Sequence, residues 1–417
     1  MQRISIFGYG ITTKPIVNFL NNQGILCNIF DDKFSRNSTD ERGNFLLPSG
    51  AFKPQDSAYQ STMEILSPGI PPSHPLIQNA KNLISEYDYF YGLFSAGYSP
   101  KSIWISGTNG KTTTTEMLTL LLGKFGAKSG GNIGTPLAEL YTQKSHLWVL
   151  ETSSFSLHYT HKAFPNLYLL LPVKQDHIDW HGSFEAYICD KLKPLLLMPK
   201  DTFAILPYEF HTRPEVKEFL GKAFFYKDSF DLAQQIGVPL EAVGFGEPFL
   251  LDALLALQAC KLLFGIIDVD LLGTFQVGAH RIEEFHDKAG RLWVDDSKGT
   301  NVDATLEALK RYQNKKIFLI LGGDDKGADQ QPIFELAKNL DIEIFAIGSN
   351  EKKLLGLAKD FGIAIHSCGE LEKAVKKIKD SLGLDGVGLL SPAAASLDQF
   401  VSYKERGELF QQYALNE

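Results

Sequence analysis

The segment Ile103-Trp-Ile-Ser-Gly107-Thr108-Asn109-Gly110-Lys111-Thr112-Thr113 constrains this chain more than any other. It reads as an apolar strand, a glycine-rich turn and the first turn of a helix. The backbone N–H groups of such a turn, with the positive end of the following helix, cradle phosphates. Lys111 would then reach the β- and γ-phosphates of a nucleotide, and the Thr112 hydroxyl would hold Mg²⁺. The strict phosphate-loop pattern places glycine six residues before the lysine, and Ile105 stands there instead. The alternative is an ordinary tight turn; the apolar strand before it and the helix after it favour the phosphate reading.

The surrounding chain repeats the same alternation of strand and helix almost from end to end, the pattern of an α/β protein built on parallel sheets. At 417 residues it is too long for one typical core. Its motifs divide it at 1–98, 99–281 and 282–417. The first segment opens with a strand, Arg3 to Phe7, a turn Gly8-Tyr-Gly10 and a second strand, Cys27 to Phe30. The last carries strands at Leu292–Asp295, Ile317–Leu321, Ile342–Ile347 and Gly386–Leu390.

Charge and cysteine content narrow the class. A net charge of -8 argues against nucleic acid as partner, since such binding neutralises phosphates with clustered cations. The four cysteines, Cys27, Cys189, Cys260 and Cys368, form no CxxC pair, which fits a reducing cytoplasm. Nothing at the N-terminus resembles a signal peptide. The apolar stretch Phe249 to Ile267 is interrupted by Asp252, Gln258 and Lys261, so it reads as a buried helix and no membrane segment is expected.

Several further segments carry polar residues where strands end, the place where α/β sheets bind ligands. Gly8-Tyr-Gly10-Ile11-Thr12-Thr13, with Thr13 in place of a third glycine and Asp31 and Asp32 some twenty residues on, looks like the start of a dinucleotide fingerprint, or simply a glycine turn that packs a helix on a strand. Glu151 closes the strand Leu147 to Leu150, and Asp176-His177-Ile-Asp179 follows the strand Leu167 to Leu171; either would serve as metal ligands or as solvated strand ends. Lys191 lies in a helical stretch, Ser183 to Leu197, and by itself reads as a surface lysine. Asp295-Asp296-Ser297-Lys298-Gly-Thr300-Asn301 and Leu321-Gly-Gly-Asp-Asp-Lys326 repeat the strand-end pattern in the last segment.

Taken together and in order, these pieces resemble the Mur ligase family from the first strand to the last helix. The family's phosphate loop reads Gly-Thr/Ser-Asn-Gly-Lys-Thr/Ser, which accounts for Ile105. Gly130-Gly131-Asn132-Ile133-Gly134 is likewise shared, and places Asn132 near a muramoyl substrate. The resemblance implies that Glu151 and His177 are metal ligands. It also implies that Lys191, in Tyr187-Ile-Cys-Asp-Lys191, is carbamoylated by CO2 and becomes an anionic ligand of a second Mg²⁺. Arg281, beside His280, matches an arginine that contacts ATP. Asp296, Lys298, Thr300 and Asn301 match a stretch joining nucleotide and acceptor. The ending Ser396-Leu397-Asp-Gln-Phe400 looks most like the D-glutamate-adding branch, with Lys326 pairing the acceptor carboxylate. Gly10 to Thr13, Asp31, Asp32 and Ser67-Pro68-Gly69 would surround the UDP part. One departure stands out: where the family carries Gly-x-His-Asn-x-x-Asn against adenine, this chain has Gly246-Glu-Pro-Phe249-Leu-Leu-Asp252 and keeps neither asparagine.

The resemblance therefore implies three α/β domains: a Rossmann-like N-terminal one, a central parallel sheet of the P-loop ATPase type and a Rossmann-like C-terminal one. The implied enzyme is a monomeric, cytoplasmic ATP-dependent ligase. It would join D-glutamate to UDP-N-acetylmuramoyl-L-alanine through an acyl phosphate, with ATP, two Mg²⁺ and the lysine carbamate. Lys111, His177, Lys191 and Lys298 would form its catalytic set, and closure of the third domain over ATP is expected before chemistry. The rivals are a folylpolyglutamate synthetase-like ligase, a nucleotide-binding protein without ligase activity, and a nicotinamide dehydrogenase.

Overall fold

Residues 3–53, 61–95 and 97–416 are described by a computed structural model, and they form three six-stranded sheets. The first contains β1 (Arg3–Phe7), β2 (Cys27–Phe30), β3 (Ser38–Thr39), β4 (Phe45–Leu47), β5 (Ser61–Leu66) and β6 (Leu83–Ile84), in the order β3-β4-β2-β1-β5-β6. Only β3 runs antiparallel to its neighbour. The chain reverses its direction of travel across the sheet at β1, so the loops after β1, β2 and β5 share one edge, the usual place for a ligand crevice.

The second sheet contains β7 (Lys101–Ser106), β8 (Ala127–Gly131), β9 (Leu147–Glu151), β10 (Leu167–Leu170), β11 (Phe203–Pro207) and β12 (Lys222–Tyr226). It is parallel throughout, in the order β12-β11-β10-β7-β9-β8. Its central strands β9 and β10 are buried on both faces and read as continuous apolar runs, as parallel sheets covered by helices require. Helix Phe249–Phe264 packs against it and stops where Gly265 turns left-handed at φ 67, three residues before the apolar run ends. Among the described residues no helix is long and apolar enough to cross a membrane.

The third sheet contains β13 (Glu283–His286), β14 (Leu292–Asp295), β15 (Lys316–Gly322), β16 (Ile342–Ile347), β17 (Ile365–Gly369) and β18 (Gly386–Leu390), in the order β13-β14-β18-β15-β16-β17. All pairs but β13–β14 are parallel. By internal packing the chain separates into two compact units, 1–275 and 276–417, so the first two sheets share a unit and the last unit starts some six residues before the position expected from sequence.

Candidate active site

In the first unit the phosphate loop leaves β7 and enters helix Lys111–Leu121 through Gly110, which is left-handed at φ 82. The Lys111 ammonium folds back onto the carbonyls of Gly107 (3.0 Å) and Thr108 (2.6 Å). Thr108 is buried and tied to Lys174, while Asn109 is exposed and Thr113 is buried in the helix. Burial lowers the Lys111 amine pKa, and the carboxylates of Glu151 and Asp176 oppose that shift.

Glu151, at the end of β9, joins two segments. One carboxylate oxygen accepts the Thr112 hydroxyl at 2.7 Å and the other accepts the Asn132 amide at 2.8 Å. A carboxylate and a hydroxyl beside a helix N-terminus form a hard oxygen donor set of the kind that suits Mg²⁺. His177 takes a left-handed backbone (φ 53), stands exposed 3.5 Å from Asp176 and packs edge-on against Phe155 at 4.7 Å. Asp179 is exposed.

Lys191 is the large departure from a reading of its residue type alone. It is 1% exposed, so the surface-lysine alternative fails. Its amine donates to the Gly107 carbonyl at 2.8 Å and the Ser106 hydroxyl at 3.3 Å, and lies over the Tyr187 ring. Burial pushes its pKa well below the usual lysine range, with the Lys111 charge adding to the shift; Asp176, Glu151 and Asp190 only partly counter it. Helix Phe184–Leu197, capped by Ser183, aims this side chain beneath the phosphate loop.

At the edge of the first sheet that carries the loops after β1, β2 and β5, the polar residues divide into two groups. Thr13 and Asp31 hold the loop: Thr13 bridges Gly8 and Gly10, and Asp31 accepts from the backbone N–H of Tyr9 and Lys33. Ile11 is 92% exposed, Thr12 is partly exposed, and Asp32 reaches Ser49 and His74. Ser67 packs under Gly8, and the Gly69 carbonyl accepts from Trp180 at 3.4 Å, which ties the Ser67-Pro68-Gly69 turn to the His177 segment.

In the second unit three loops follow the adjacent strands β14, β18 and β15. Asp296 is buried, accepts the Ser391 hydroxyl at 2.7 Å and is pushed up to about 7 by burial. Asn301 caps helix Val302–Arg311 through the Ala304 N–H, Thr300 is exposed, and Lys298 lies over the Tyr403 ring. The loop of Lys326 pairs through Asp324 with Ala395, which brings exposed Lys326 close in sequence to the same bridge as buried Ser396 and exposed Leu397. Phe400 donates its N–H to the Ser396 carbonyl and packs on the core. Arg281 sits between His280 (φ 63) and Ile282 (φ 49), both left-handed.

Sequence reasoning did not foresee three groupings. Asp252, read as an interruption of the apolar run and as a missing asparagine, is buried, accepts from Thr114 at 3.2 Å and abuts Gly110. His280, Glu283 and Asp295 cluster closely enough to suggest a cation site, but Gln411 already bridges both carboxylates. His181, Ser154 and Asp190 meet at one imidazole. Each set is scattered along the chain, and only the fold joins it.

Comparison with known proteins bears on this geometry directly. Residues 105–243 match the model of the Mur ligase middle domain, and residues 2–86 that of the Mur ligase MurD-like N-terminal domain. A UDP-N-acetylmuramoylalanine–D-glutamate ligase of Helicobacter pylori is 49% identical over 426 residues, covering 100% of both chains. One of Campylobacter jejuni is 48% identical over 99% of both. Among solved structures, the fold is similar to MurF ligase from Thermotoga maritima in complex with ADP (TM-score 0.58, 16% identity, 93% of this chain and 97% of that one). It is also similar to UDP-N-acetylmuramate-alanine ligase MurC from the same organism (TM-score 0.55, 17% identity, 99% of each).

Proposed function

The chain belongs to the Mur ligase family, and from that premise we propose that it joins D-glutamate to UDP-N-acetylmuramoyl-L-alanine at the expense of ATP, as a cytoplasmic monomer in peptidoglycan precursor synthesis. The observation that carries the reading is the Glu151 carboxylate, shared by Thr112 of the phosphate loop and by Asn132 after β8. A nucleotide on the Thr112 side and an acyl substrate on the Asn132 side would then meet at one anionic group.

The chemistry is acyl activation. The substrate carboxylate attacks the γ-phosphorus of ATP, ADP leaves, and the D-glutamate amine displaces phosphate from the acyl phosphate through a tetrahedral intermediate. Lys111 leaves the loop carbonyls to hold the β- and γ-phosphates, and the loop N–H groups orient them. Two Mg²⁺, one at Thr112 and the second at the Lys191 carbamate, with Glu151 and His177 as further ligands, would supply charge neutralisation for the transferring phosphoryl group. Lys191 supports its own modification: a neutral amine is the form that attacks CO2, and burial favours that form. Asp32 and the Ser67–Gly69 turn would receive the UDP part, Arg281, Asp296 and Lys298 the nucleotide, and Thr300, Lys326, Ser396, Leu397 and Phe400 the acceptor.

The test is ADP release with ATP, Mg²⁺, bicarbonate, UDP-N-acetylmuramoyl-L-alanine and D-glutamate, each omitted in turn. Release should need every organic substrate and should fail with L-glutamate. Turnover with a different amino acid in place of D-glutamate would overturn the acceptor assignment, and no release at all would overturn ligation.

A further inference from the structure

Three of the four proposed metal ligands stand on three separate segments beyond the phosphate loop: Glu151 at the end of β9, His177 just before the short helix Ile178–His181, and Lys191 in helix Phe184–Leu197. One imidazole joins all three segments. His181 Nδ1 donates to Asp190 at 2.8 Å, and its Nε2 accepts from the Ser154 hydroxyl at 3.0 Å in the neutral tautomer. Ser154 lies three residues after Glu151, His181 four after His177, and Asp190 immediately before Lys191.

We propose that His181 is a positioning residue that sets the mutual geometry of Glu151, His177 and Lys191 by clamping Ser154 and Asp190. This inference rests on the metal-site reading given above. The His181 side chain is fully buried and Ser154 is 3% exposed, so neither hydrogen bond competes with water. Asp190 also accepts from His158 Nδ1 at 2.9 Å, which fixes the carboxylate from a second side. Phe155 fills the space between the two imidazoles, 4.7 Å from His177 and stacked at 5.6 Å on His181, so a shift of one ring is transmitted to the other. Tyr187, one turn before Lys191, packs on His181 at 5.2 Å and closes the group against the phosphate loop through Thr108.

Groups that orient ligands in this way typically change metal affinity by about 10–100-fold when removed. The test is the affinity of the full chain for Mn²⁺, read by electron paramagnetic resonance in bicarbonate buffer without nucleotide. It is run for the wild type, His181→Ala, His181→Asn, Ser154→Ala and Asp190→Asn, with thermal melts alongside. His181→Asn retains a donor near the Nδ1 position and should recover part of the loss seen with His181→Ala. Ser154→Ala removes one hydroxyl and is the variant that keeps the test open if the larger changes impair folding. A graded loss of about 10–100-fold in folded variants supports the positioning role. Folded variants within twofold of wild type overturn it, even if their melting temperatures fall, because a purely structural residue would behave that way. If the wild type itself binds no Mn²⁺, the metal-site reading fails and takes the proposal with it, an outcome distinct from the previous one.

Discussion

Gly110→Ala tests whether the phosphate loop is held in shape by the helix beneath it. A Cβ at Gly110 would lie 2.3 Å from Asp252 Oδ1 and 2.9 Å from Leu171 Cδ2, and the residue sits at φ 82. The left-handed backbone costs a non-glycine residue about 1–2 kcal/mol. Overpacking against a buried helix adds about 1–3 kcal/mol, so the expected destabilisation is about 2–5 kcal/mol. Relief by a shift of the loop would also displace its N–H groups and weaken ADP binding at least tenfold. The second variant, Asp252→Ala, removes the nearer clash at the cost of the Thr114 hydrogen bond, about 1 kcal/mol. In the double variant the overpacking part should largely disappear and the backbone part remain, giving a favourable coupling of about 1–2 kcal/mol. Urea denaturation gives the stabilities and fluorescence titration with ADP gives the affinities. Additive effects of the two substitutions would refute the reasoning, because they would show that the loop and Asp252 do not press on one another.

Thr112→Val removes the hydroxyl that Glu151 accepts and keeps the side-chain shape; we expect stability to change by about 1 kcal/mol while Mg²⁺-dependent ADP release falls about 10²–10³-fold in a steady-state assay. Glu86 is buried and pushed up from 4.5 to about 8, by burial against a single backbone hydrogen bond from Leu137. Because its folded pKa lies above the unfolded one, its stabilising contribution is complete below pH 4.5 and is lost as pH rises through about 8. Between pH 4.5 and 7 the loss is about 3 kcal/mol, and Glu86→Gln should flatten that part of the denaturation profile; an unchanged slope would count against a buried carboxyl. Finally, depleting CO2 should abolish ADP release without altering the melting temperature, and bicarbonate should restore it in wild type but not in Lys191→Arg, checked by ¹³C NMR of the carbamate.

Much of the sheet architecture was legible because parallel strands buried on both faces are unbroken apolar runs ended by glycine or acid; β1, β2, β14, β16 and β18 match their expected limits. The two-residue strands β3 and β6 have no such run, and β17, Ile-His-Ser-Cys-Gly, mixes polar residues into an edge. The phosphate loop was legible because its turn has to be glycine-rich. Lys191 was legible only through the resemblance, since a lysine in an amphipathic helix normally extends its amine to water. Ser154, His181 and Asp190 were not legible at all: each is an ordinary polar residue until the three helices Ser154–His158, Ile178–His181 and Phe184–Leu197 converge. The contact of Asp252 with Thr114 was not legible either, because it joins residues 138 positions apart.

The charges around the loop would couple the proposed modification to the proposed metal. The Lys111 and Lys191 amines both feel the carboxylates of Glu151 and Asp176, two potential cations against two anions; Asp190, which also acts on Lys191, is engaged by His181 and His158. With both amines charged the group is neutral, but two ammonium ions would then face each other in a desolvated space, and Lys191 finds no carboxylate among its hydrogen-bond partners. Releasing its proton removes that repulsion and leaves one net negative charge. Carbamoylation adds a second, which is unfavourable in a buried site unless a dication arrives. A divalent ion restores neutrality and in turn binds more tightly to a site made more anionic. By linkage each raises the affinity for the other by the same factor. If Lys191 is carbamoylated as proposed, a buried lysine with a depressed pKa would suit this site better than a glutamate fixed there by sequence: the anion would form with its counter-ion, and the site without metal need not carry an uncompensated charge.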